Sequence, residues 1–343
     1  MPGKGHVAGR DGAASLGKRI GWLAQTAAFA AYSGLMRALP VETASNFGAW
    51  LVSHLGPRTS TEKTVQRNLR LAFPDMDETE RSALSRAQWE STGRTFAEFP
   101  IMDRITPASG RVTVVGAERL HAIRDSGRPA VLVSGHFSNW EAMAAAIVST
   151  GLKTQITYRA GNNPYVDRMI TEQRARYGVE LFAPKGGDGA KELLEGMKRG
   201  ESVALLNDQK FREGPEVTFF GQPVNTATGP SRLAQRFDAP IIPVTVERSG
   251  PARLTVTFHA EMRVRPATSP ADKARAVEEA TQAITRFIED RVRESPADWF
   301  WVHKRWPDRV YAALRAEEAS IVTTLAGSAD SRAASVARRK GPR

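Results

Sequence analysis

The stretch that decides the fold reads Pro129-Ala130-Val131-Leu132-Val133-Ser134-Gly135-His136. Its uncharged, valine-rich run from 130 to 134 is typical of a short buried strand, and the glycine that follows indicates where the strand ends. A helix is predicted to begin near Ser138 or Asn139. In open α/β sheets ligands bind at the carboxyl ends of strands, so His136 stands where a functional side chain is expected.

Similar runs recur along the chain and alternate with amphipathic helical stretches. The predicted strands are Val112–Val115, Ala130–Ser134, Gln155–Tyr158, Val203–Leu206, Ile241–Val246 and Leu254–Phe258. This alternation predicts an α/β core with a mixed, partly parallel sheet flanked by helices. Upstream, Asp77-x-x-Glu80 predicts a capping box that opens a helix through Trp89 and Phe96. A long helix is expected from about Ala271 to Arg293.

The segment from Ile20 to Met36, IGWLAQTAAFAAYSGLM, carries no charge over 17 residues. This length is at the lower edge of the ~17–25 residues that span a bilayer. Three interpretations remain open: a cleaved signal peptide with a site at Ala28-Phe29-Ala30, a buried helix, or a membrane anchor. An anchor would either span the bilayer or lie in its interface, with Trp22 and Tyr32 near the headgroups.

Composition narrows the chemistry. The chain has 343 residues and a formal net charge of +11, which suits anionic phosphate in lipid headgroups or nucleic acid. No element interleaves basic with aromatic residues as nucleic-acid proteins do, so no nucleic-acid partner is expected. The absence of cysteine excludes disulfides, thiolate metal sites and a cysteine nucleophile. The six histidines lack zinc-ligand spacing, so neither a metal site nor a cofactor is expected.

His136 and Glu141 are five positions apart, across the predicted start of a helix. A carboxylate that folds back to the imidazole would fix its tautomer and stabilise the imidazolium formed when histidine takes a proton. Two alternatives stay open. His136 can simply end the strand, with Glu141 favoured by the helix dipole. A hydrolase with Ser134 or Ser138 as nucleophile is less favoured, because the Gly-x-Ser-x-Gly elbow is absent.

The block from Ser134 to Glu141 resembles the His-x4-Asp/Glu motif of glycerolipid and lipid A acyltransferases. The closer similarity is to the late acyltransferases of lipid A biosynthesis, because further blocks agree in order and spacing. These blocks are Trp89–Phe99, Tyr158–Pro164, Asp208–Lys210, Phe219–Gly221 with Thr226–Pro230, and Trp299–Trp306. A glutamate at 141 rather than an aspartate favours the lipid A branch and the related mannoside acyltransferases.

The resemblance implies a role for each matching residue. His136 would be the general base and Glu141 the carboxylate that orients it. The implied substrate-binding residues are Arg159, which would bind a phosphate, together with Asn139, Asp208, Gln209, Thr228 and Gly229. Plainer interpretations stay open for several of them: a surface arginine at 159, a turn at 208–209, and a helix N-cap at 228–229. The cluster from Trp299 to Trp306 would either meet a membrane or pack a helix onto the core.

The resemblance also implies partners and a location. The acyl donor would be an acyl carrier protein thioester and the acceptor an anionic lipid A precursor, at the cytoplasmic face of the inner membrane. Another glycolipid or a lysophospholipid acceptor, or thioester hydrolysis, remain as alternatives. The expected organisation is a flexible basic arm (1–19), membrane-anchoring or interfacial helices (20–56), an α/β acyltransferase domain (57–310) and a helical, then disordered basic tail (311–343).

Overall fold

The structure is a computed structural model that describes residues 15–158, 161–179, 182–184 and 187–317. Its first part is helical. The helices are α1 (Leu16–Ala38), α2 (Val41–Leu55), α3 (Glu62–Ala72) and α4 (Glu78–Glu98). The predicted capping box is confirmed at α4, where the Asp77 carboxylate accepts from the Glu80 amide at 2.8 Å and the Glu80 side chain accepts from the Asp77 amide.

A seven-stranded sheet follows, with the strand order β1-β9-β8-β2-β5-β3-β4. The strands are β1 (Val112–Val115), β2 (Val131–Ser134), β3 (Thr154–Tyr158), β4 (Phe182–Pro184), β5 (Ser202–Leu206), β8 (Ile241–Gly250) and β9 (Arg253–Phe258). Within the described part of this sheet, β8 and β9 pair antiparallel and the other neighbouring strands pair parallel. The predicted α/β fold with a mixed sheet is therefore confirmed.

Helices cover the sheet. They are α5 (Ala117–Ser126), α6 (Glu141–Ser149), α7 (Pro164–Ala175), α8 (Gly187–Lys198), α9 (Gly229–Phe237), α10 (Pro270–Glu294) and a last helix, α11, over residues 308–317. The hairpin β6 (Glu216–Phe219) and β7 (Gln222–Asn225) was not predicted, because Pro223 interrupts its pattern. Its turn, Phe220-Gly221, has positive φ at both residues, as a two-residue turn of type I′ requires.

Helices α2 and α4 meet at their backbones. A Cβ placed on Gly48 would lie 2.3 Å from the Gly93 carbonyl oxygen, and one on Gly93 would lie 2.2 Å from the Gly48 carbonyl oxygen. Any larger residue would therefore force the two helices apart. The contact makes α2 a firm part of the helical layer that leads into the sheet.

Helix α1 turns its polar groups toward the protein. Asn163, at the start of α7, donates to the Trp22 carbonyl at 2.8 Å, and the Arg37 guanidinium pairs with Asp103 at 2.8 and 2.9 Å. Four of its apolar side chains face outward: Leu16, Ile20, Leu23 and Leu35 are 74%, 58%, 56% and 50% exposed. Trp22 and Met36 of the same helix are buried, so Trp22 is not on the outward face where a headgroup contact was considered. Within the described ranges, no helix has the combined length and apolar character to cross a bilayer.

The boundaries at the two ends of the chain differ slightly from the expected ones. Helix α1 already begins at Leu16, inside the segment expected to be a flexible arm. The expected arm otherwise occupies residues 1–14, which lie outside the described residues. At the other end, residues 308–317 are helical, and the remainder of the expected tail also lies outside the described ranges.

Candidate active site

The site forms where β2 and β5 end side by side. Ser134 is paired in register with Leu206, so the loops that leave the two strands emerge next to each other. Both strands are parallel and central in the sheet, which puts their carboxyl ends at one edge. His136 follows one strand and Asp208 follows the other, and this register brings them together.

Asp208 holds His136 through two bonds. Its Oδ1 lies 2.6 Å from the imidazole Nδ1, and its Oδ2 accepts from the His136 backbone amide at 2.7 Å. The indole Nε1 of Trp299 donates to the same Oδ2 at 2.8 Å. Burial alone would raise the pKa of Asp208, but His136 and Trp299 together hold it well below its usual range. Asp208 is therefore a buried carboxylate that stays ionised.

The ionised carboxylate determines which ring nitrogen can act. Because Nδ1 faces an acceptor, the neutral imidazole carries its proton there, and Nε2 presents a lone pair. The side-chain amide nitrogen of Gln209 lies 3.3 Å from that Nε2. Aromatic rings surround the imidazole, with the centres of Trp140 and Phe300 at 5.0 and 6.2 Å. This arrangement fits a general base at the edge of an apolar wall.

Glu141 does not orient His136 as the spacing predicted. Its carboxylate accepts from Arg174 Nε at 2.9 Å, from Arg174 Nη2 at 2.5 Å and from the Tyr177 hydroxyl at 2.7 Å. Ser138 adopts a left-handed φ of 44°, and Glu141 then begins α6 with its side chain directed to α7 instead of the ring. The predicted dyad is corrected in this respect: the carboxylate bonded to the imidazole is Asp208.

Glu141 is nevertheless a charged neighbour of His136. It is buried, and burial would raise its pKa, but Arg174 and Tyr177 lower it below the usual value. Burial, and then the adjacent Glu141 charge, raise the pKa of Tyr177 well above its ordinary value. The group is thus an internal ion pair that ties α6 to α7 beside the His136 loop.

Asn139 is also placed differently from the expectation. It is fully buried at 0% exposure, donates to Glu98 Oε2 at 2.9 Å and accepts from the Glu141 amide at 3.3 Å. Such a side chain positions the loop and does not face a substrate, so the substrate-binding assignment is corrected. The partner it uses, Glu98, receives two more bonds from Arg248 at 2.5 and 2.9 Å.

The remaining predicted residues lie in different places. Gln209 is exposed and contacts His136, as expected of a residue that lines the opening of the site. Thr228 and Gly229 form the start of α9, and Thr228 lines a surface cavity of about 300 Å³ with Arg232 and Lys273. His136 is not among the residues that line this cavity. Arg159 lies outside the described residues.

The segment from Trp299 to Trp306 packs onto the core and completes the site. Trp299, Trp301 and Trp306 are buried, and the Phe300 amide donates to the His136 carbonyl at 3.1 Å. The sequence suggested this packing only as one of two interpretations. Within the described part of the chain, no group of three or more His, Asp and Glu side chains is placed to hold a metal ion.

Arg305 is the least expected member of this segment. It is 2% exposed and donates to the Gln209 carbonyl at 3.5 Å, the Asn225 carbonyl at 3.1 Å and the Thr226 hydroxyl at 2.6 Å. Burial lowers the pKa of its guanidinium to about 10. The side chain ties the segment after β5 to the β6–β7 hairpin. Nothing in the sequence around Arg305 predicted that this side chain would be buried and would link these two segments.

The family model and the relatives that match this chain in sequence are acyltransferases. The model of the family described as bacterial lipid A biosynthesis acyltransferase matches residues 16–308. A lipid A biosynthesis acyltransferase of Haemophilus influenzae is 25% identical over 74% of this chain and 77% of its own length. The lipid A biosynthesis lauroyltransferase of Escherichia coli is 26% identical, over 72% and 79%. A phosphatidylinositol mannoside acyltransferase of Mycolicibacterium smegmatis is 27% identical, over 81% and 90%.

The family match covers the helical layer, the whole sheet and the segment that carries Trp299. It includes every described residue that contacts His136. The chain therefore belongs to the bacterial lipid A biosynthesis acyltransferase family.

Proposed function

We propose that this acyltransferase moves a fatty acyl chain from an acyl carrier protein thioester to a hydroxyl of a lipid A precursor, with His136 as general base oriented by Asp208. The observation that carries the proposal is the 2.6 Å contact between His136 Nδ1 and the buried Asp208 carboxylate. That contact leaves Nε2 as the proton acceptor.

The reaction proceeds without a covalent enzyme intermediate. His136 Nε2 removes the proton of the acceptor hydroxyl while its oxygen attacks the thioester carbonyl carbon. Asp208 stabilises the imidazolium that results, as a buried carboxylate on the other ring nitrogen does. The tetrahedral intermediate collapses, the carbon–sulfur bond breaks, and the imidazolium returns its proton to the carrier thiolate. The products are an ester and the free carrier thiol.

A basic rim near the base supports a carrier protein as donor. Lys210, Arg212 and Lys304 surround Asp308, and the cation at Lys210 lies 3.2 Å from that carboxylate. Lys210 directly follows Gln209, and Lys304 follows His303, whose ring centre is 6.2 Å from that of His136. Acyl carrier proteins are acidic, and a positive rim would steer them to the site.

The outward face of α1 supports membrane association. Four large apolar side chains on that helix are at least half exposed, and Lys18 and Arg19 lie at its start. A helix of this kind lies in a bilayer interface, and its cations favour anionic lipid. We infer that the enzyme works at the cytoplasmic face of the inner membrane, where a lipid acceptor and a soluble carrier protein can meet.

Two lipids are candidates for the acceptor. The lipid A relatives support a lipid A precursor, whose phosphates suit a chain with a net charge of +11. The match to a phosphatidylinositol mannoside acyltransferase supports a mannosylated phosphatidylinositol as the second candidate. Both acceptors present a hydroxyl to the base and an anionic group to the surrounding cations.

The test is a transfer assay with purified protein in lipid vesicles. Acyl carrier proteins loaded with dodecanoyl, tetradecanoyl and hexadecanoyl chains are offered with each acceptor in turn, and products are identified by mass spectrometry. An acylated lipid A precursor supports the proposal, whereas an acylated mannoside supports the second candidate. Free fatty acid as the sole product would identify a hydrolase. His136→Ala should abolish transfer; near-normal turnover in that variant would rule out the proposed base.

A further inference from the structure

We propose that Gln209 occupies the position of the acceptor hydroxyl on His136 until the acceptor arrives, and so directs the acyl group to lipid instead of water. The inference rests on the proposed function, because it assumes that His136 is the base. Its starting observation is the 3.3 Å contact between the Gln209 side-chain nitrogen and His136 Nε2.

The direction of this hydrogen bond follows from Asp208. The carboxylate accepts a hydrogen bond from Nδ1–H at 2.6 Å, so Nε2 has only a lone pair to offer. The amide of Gln209 therefore donates to the one atom that must accept the proton of the nucleophile. While that hydrogen bond exists, no hydroxyl group can transfer its proton to His136 Nε2.

The main chain at Gln209 is fixed, but its side chain can leave. The neighbouring Asp208 is held by the His136 amide, the His136 ring and Trp299, and the Gln209 carbonyl accepts from Arg305. Gln209 itself is exposed. A glutamine side chain has several rotatable bonds, so it can swing off Nε2 while the backbone stays in place.

Water competes with the lipid hydroxyl as the nucleophile that attacks the thioester. A base beside a thioester also activates water: the water oxygen would attack the carbonyl carbon while one water proton passes to Nε2. The carbon–sulfur bond would then break, and the imidazolium would return its proton to the thiolate. Free fatty acid and carrier thiol would result. A lipid acceptor is bound by the rest of its structure and can displace the amide. A water molecule has no such additional contacts, so the amide excludes it more effectively.

The test compares hydrolysis with transfer in the full-length protein in vesicles. Gln209→Met keeps the length of the side chain and removes the amide donors, and Gln209→Ala removes the side chain. With loaded acyl carrier protein and no acceptor lipid, we expect both variants to release free fatty acid about tenfold faster than the wild type. That factor corresponds to the loss of one hydrogen bond of about 1.4 kcal/mol. With acceptor present, the ratio of free acid to acylated lipid should rise by a similar factor.

Three controls keep the result interpretable. Gln235→Met, the same change at a glutamine of α9 that donates to the Lys273 carbonyl, should leave the ratio unchanged. His136→Ala combined with Gln209→Met should remove the extra hydrolysis, since that hydrolysis uses the same base. Thermal unfolding of both Gln209 variants should match the wild type.

An unchanged ratio in both Gln209 variants, or an equal loss of transfer and hydrolysis, would overturn this inference while leaving the proposed function intact. Transfer that persists in His136→Ala would instead overturn the proposed function.

Discussion

Glu98 of α4 and Arg248 of β8 form a buried ion pair behind the loop that carries His136, with two bonds of 2.5 and 2.9 Å. Glu98 is fully buried and also accepts from Ser45, from Asn139 and from the Ala252 amide. One carboxylate thus joins α2, α4, β8 and the loop that carries His136 and Asn139. The loop geometry depends on this carboxylate as much as on its own residues.

Removal of that carboxylate should destabilise the whole protein. Glu98→Ala leaves the Arg248 guanidinium buried without its counter-charge, which costs about 3–5 kcal/mol. Urea unfolding measures the free energy of unfolding directly. Glu90→Ala, an exposed glutamate on the same helix, is the matched control and should change the free energy by no more than about 0.5 kcal/mol. Equal effects of the two changes would contradict the role assigned to Glu98.

The role of Asp208 predicts a specific kinetic defect. Asp208→Asn keeps the size of the side chain but removes the charge that holds the Nδ1 proton, so the imidazole loses its tautomer and its counter-ion. We expect kcat for acyl transfer to fall about 100- to 10,000-fold while the KM for the acyl carrier protein stays close to the wild-type value. Asp238→Asn, an exposed aspartate paired with Arg128, serves as the control for the same chemical change. If kcat of the Asp208→Asn variant fell only a few-fold, Asp208 would not be the group that orients His136.

Stability should fall in acid because of two buried carboxylates. Partners hold the pKa of Asp208 and of Glu141 below their ordinary values in the folded protein. The unfolded chain therefore binds protons more readily, and the stabilisation is fully present above the ordinary carboxyl pKa of about 4. It is lost as the pH falls from there through the folded values. Urea unfolding between neutral pH and pH ~3 should show this slope, and Asp208→Asn should flatten it. A slope identical in the variant would contradict the assignment.

The outward face of α1 predicts binding to anionic vesicles. Ile20→Glu with Leu23→Glu puts two charges on side chains that are 58% and 56% exposed, and it should abolish co-sedimentation with vesicles that contain anionic lipid. The folded core should persist, because neither side chain is buried. Ala271→Glu with Ala274→Glu adds the same charge to the exposed face of α10 and should bind like the wild type. Unimpaired binding of the α1 variant would exclude this face as the contact.

Six strands of the sheet could be predicted from local pattern because they are short, apolar runs that end at glycine or polar residues. The edge strand β4, only three residues long, was not predicted. The bounds of β1 were predicted to the residue, and those of β2, β3 and β5 within one residue. The hairpin of β6 and β7 was not predicted. Glu216 at the start of β6 and Pro223 within β7 obscure the alternation of apolar and polar residues that marks a strand. Register between strands is a long-range property, and no local pattern specifies it.

That same limitation explains the error at Glu141. Spacing along the chain made Glu141 the nearest acid to His136, whereas the parallel pairing of β2 with β5 brings in Asp208 from 72 positions away. A buried carboxylate needs a cation, so some partner for Glu141 could be expected. Nothing local identified Arg174 or Tyr177 as that partner. The histidine could be predicted from sequence, but its true partner required the fold.

The hydrogen bond from Trp299 to Asp208 has a consequence for the order of events during synthesis. The histidine is made early, its carboxylate partner later, and the indole that completes the set only near the end of the domain. A nascent chain that ends between Asp208 and Trp299 contains His136 and Asp208 but lacks the indole that donates to the carboxylate. The hydrogen-bond set around the Asp208 carboxylate is therefore complete only after the segment that carries Trp299 has been translated.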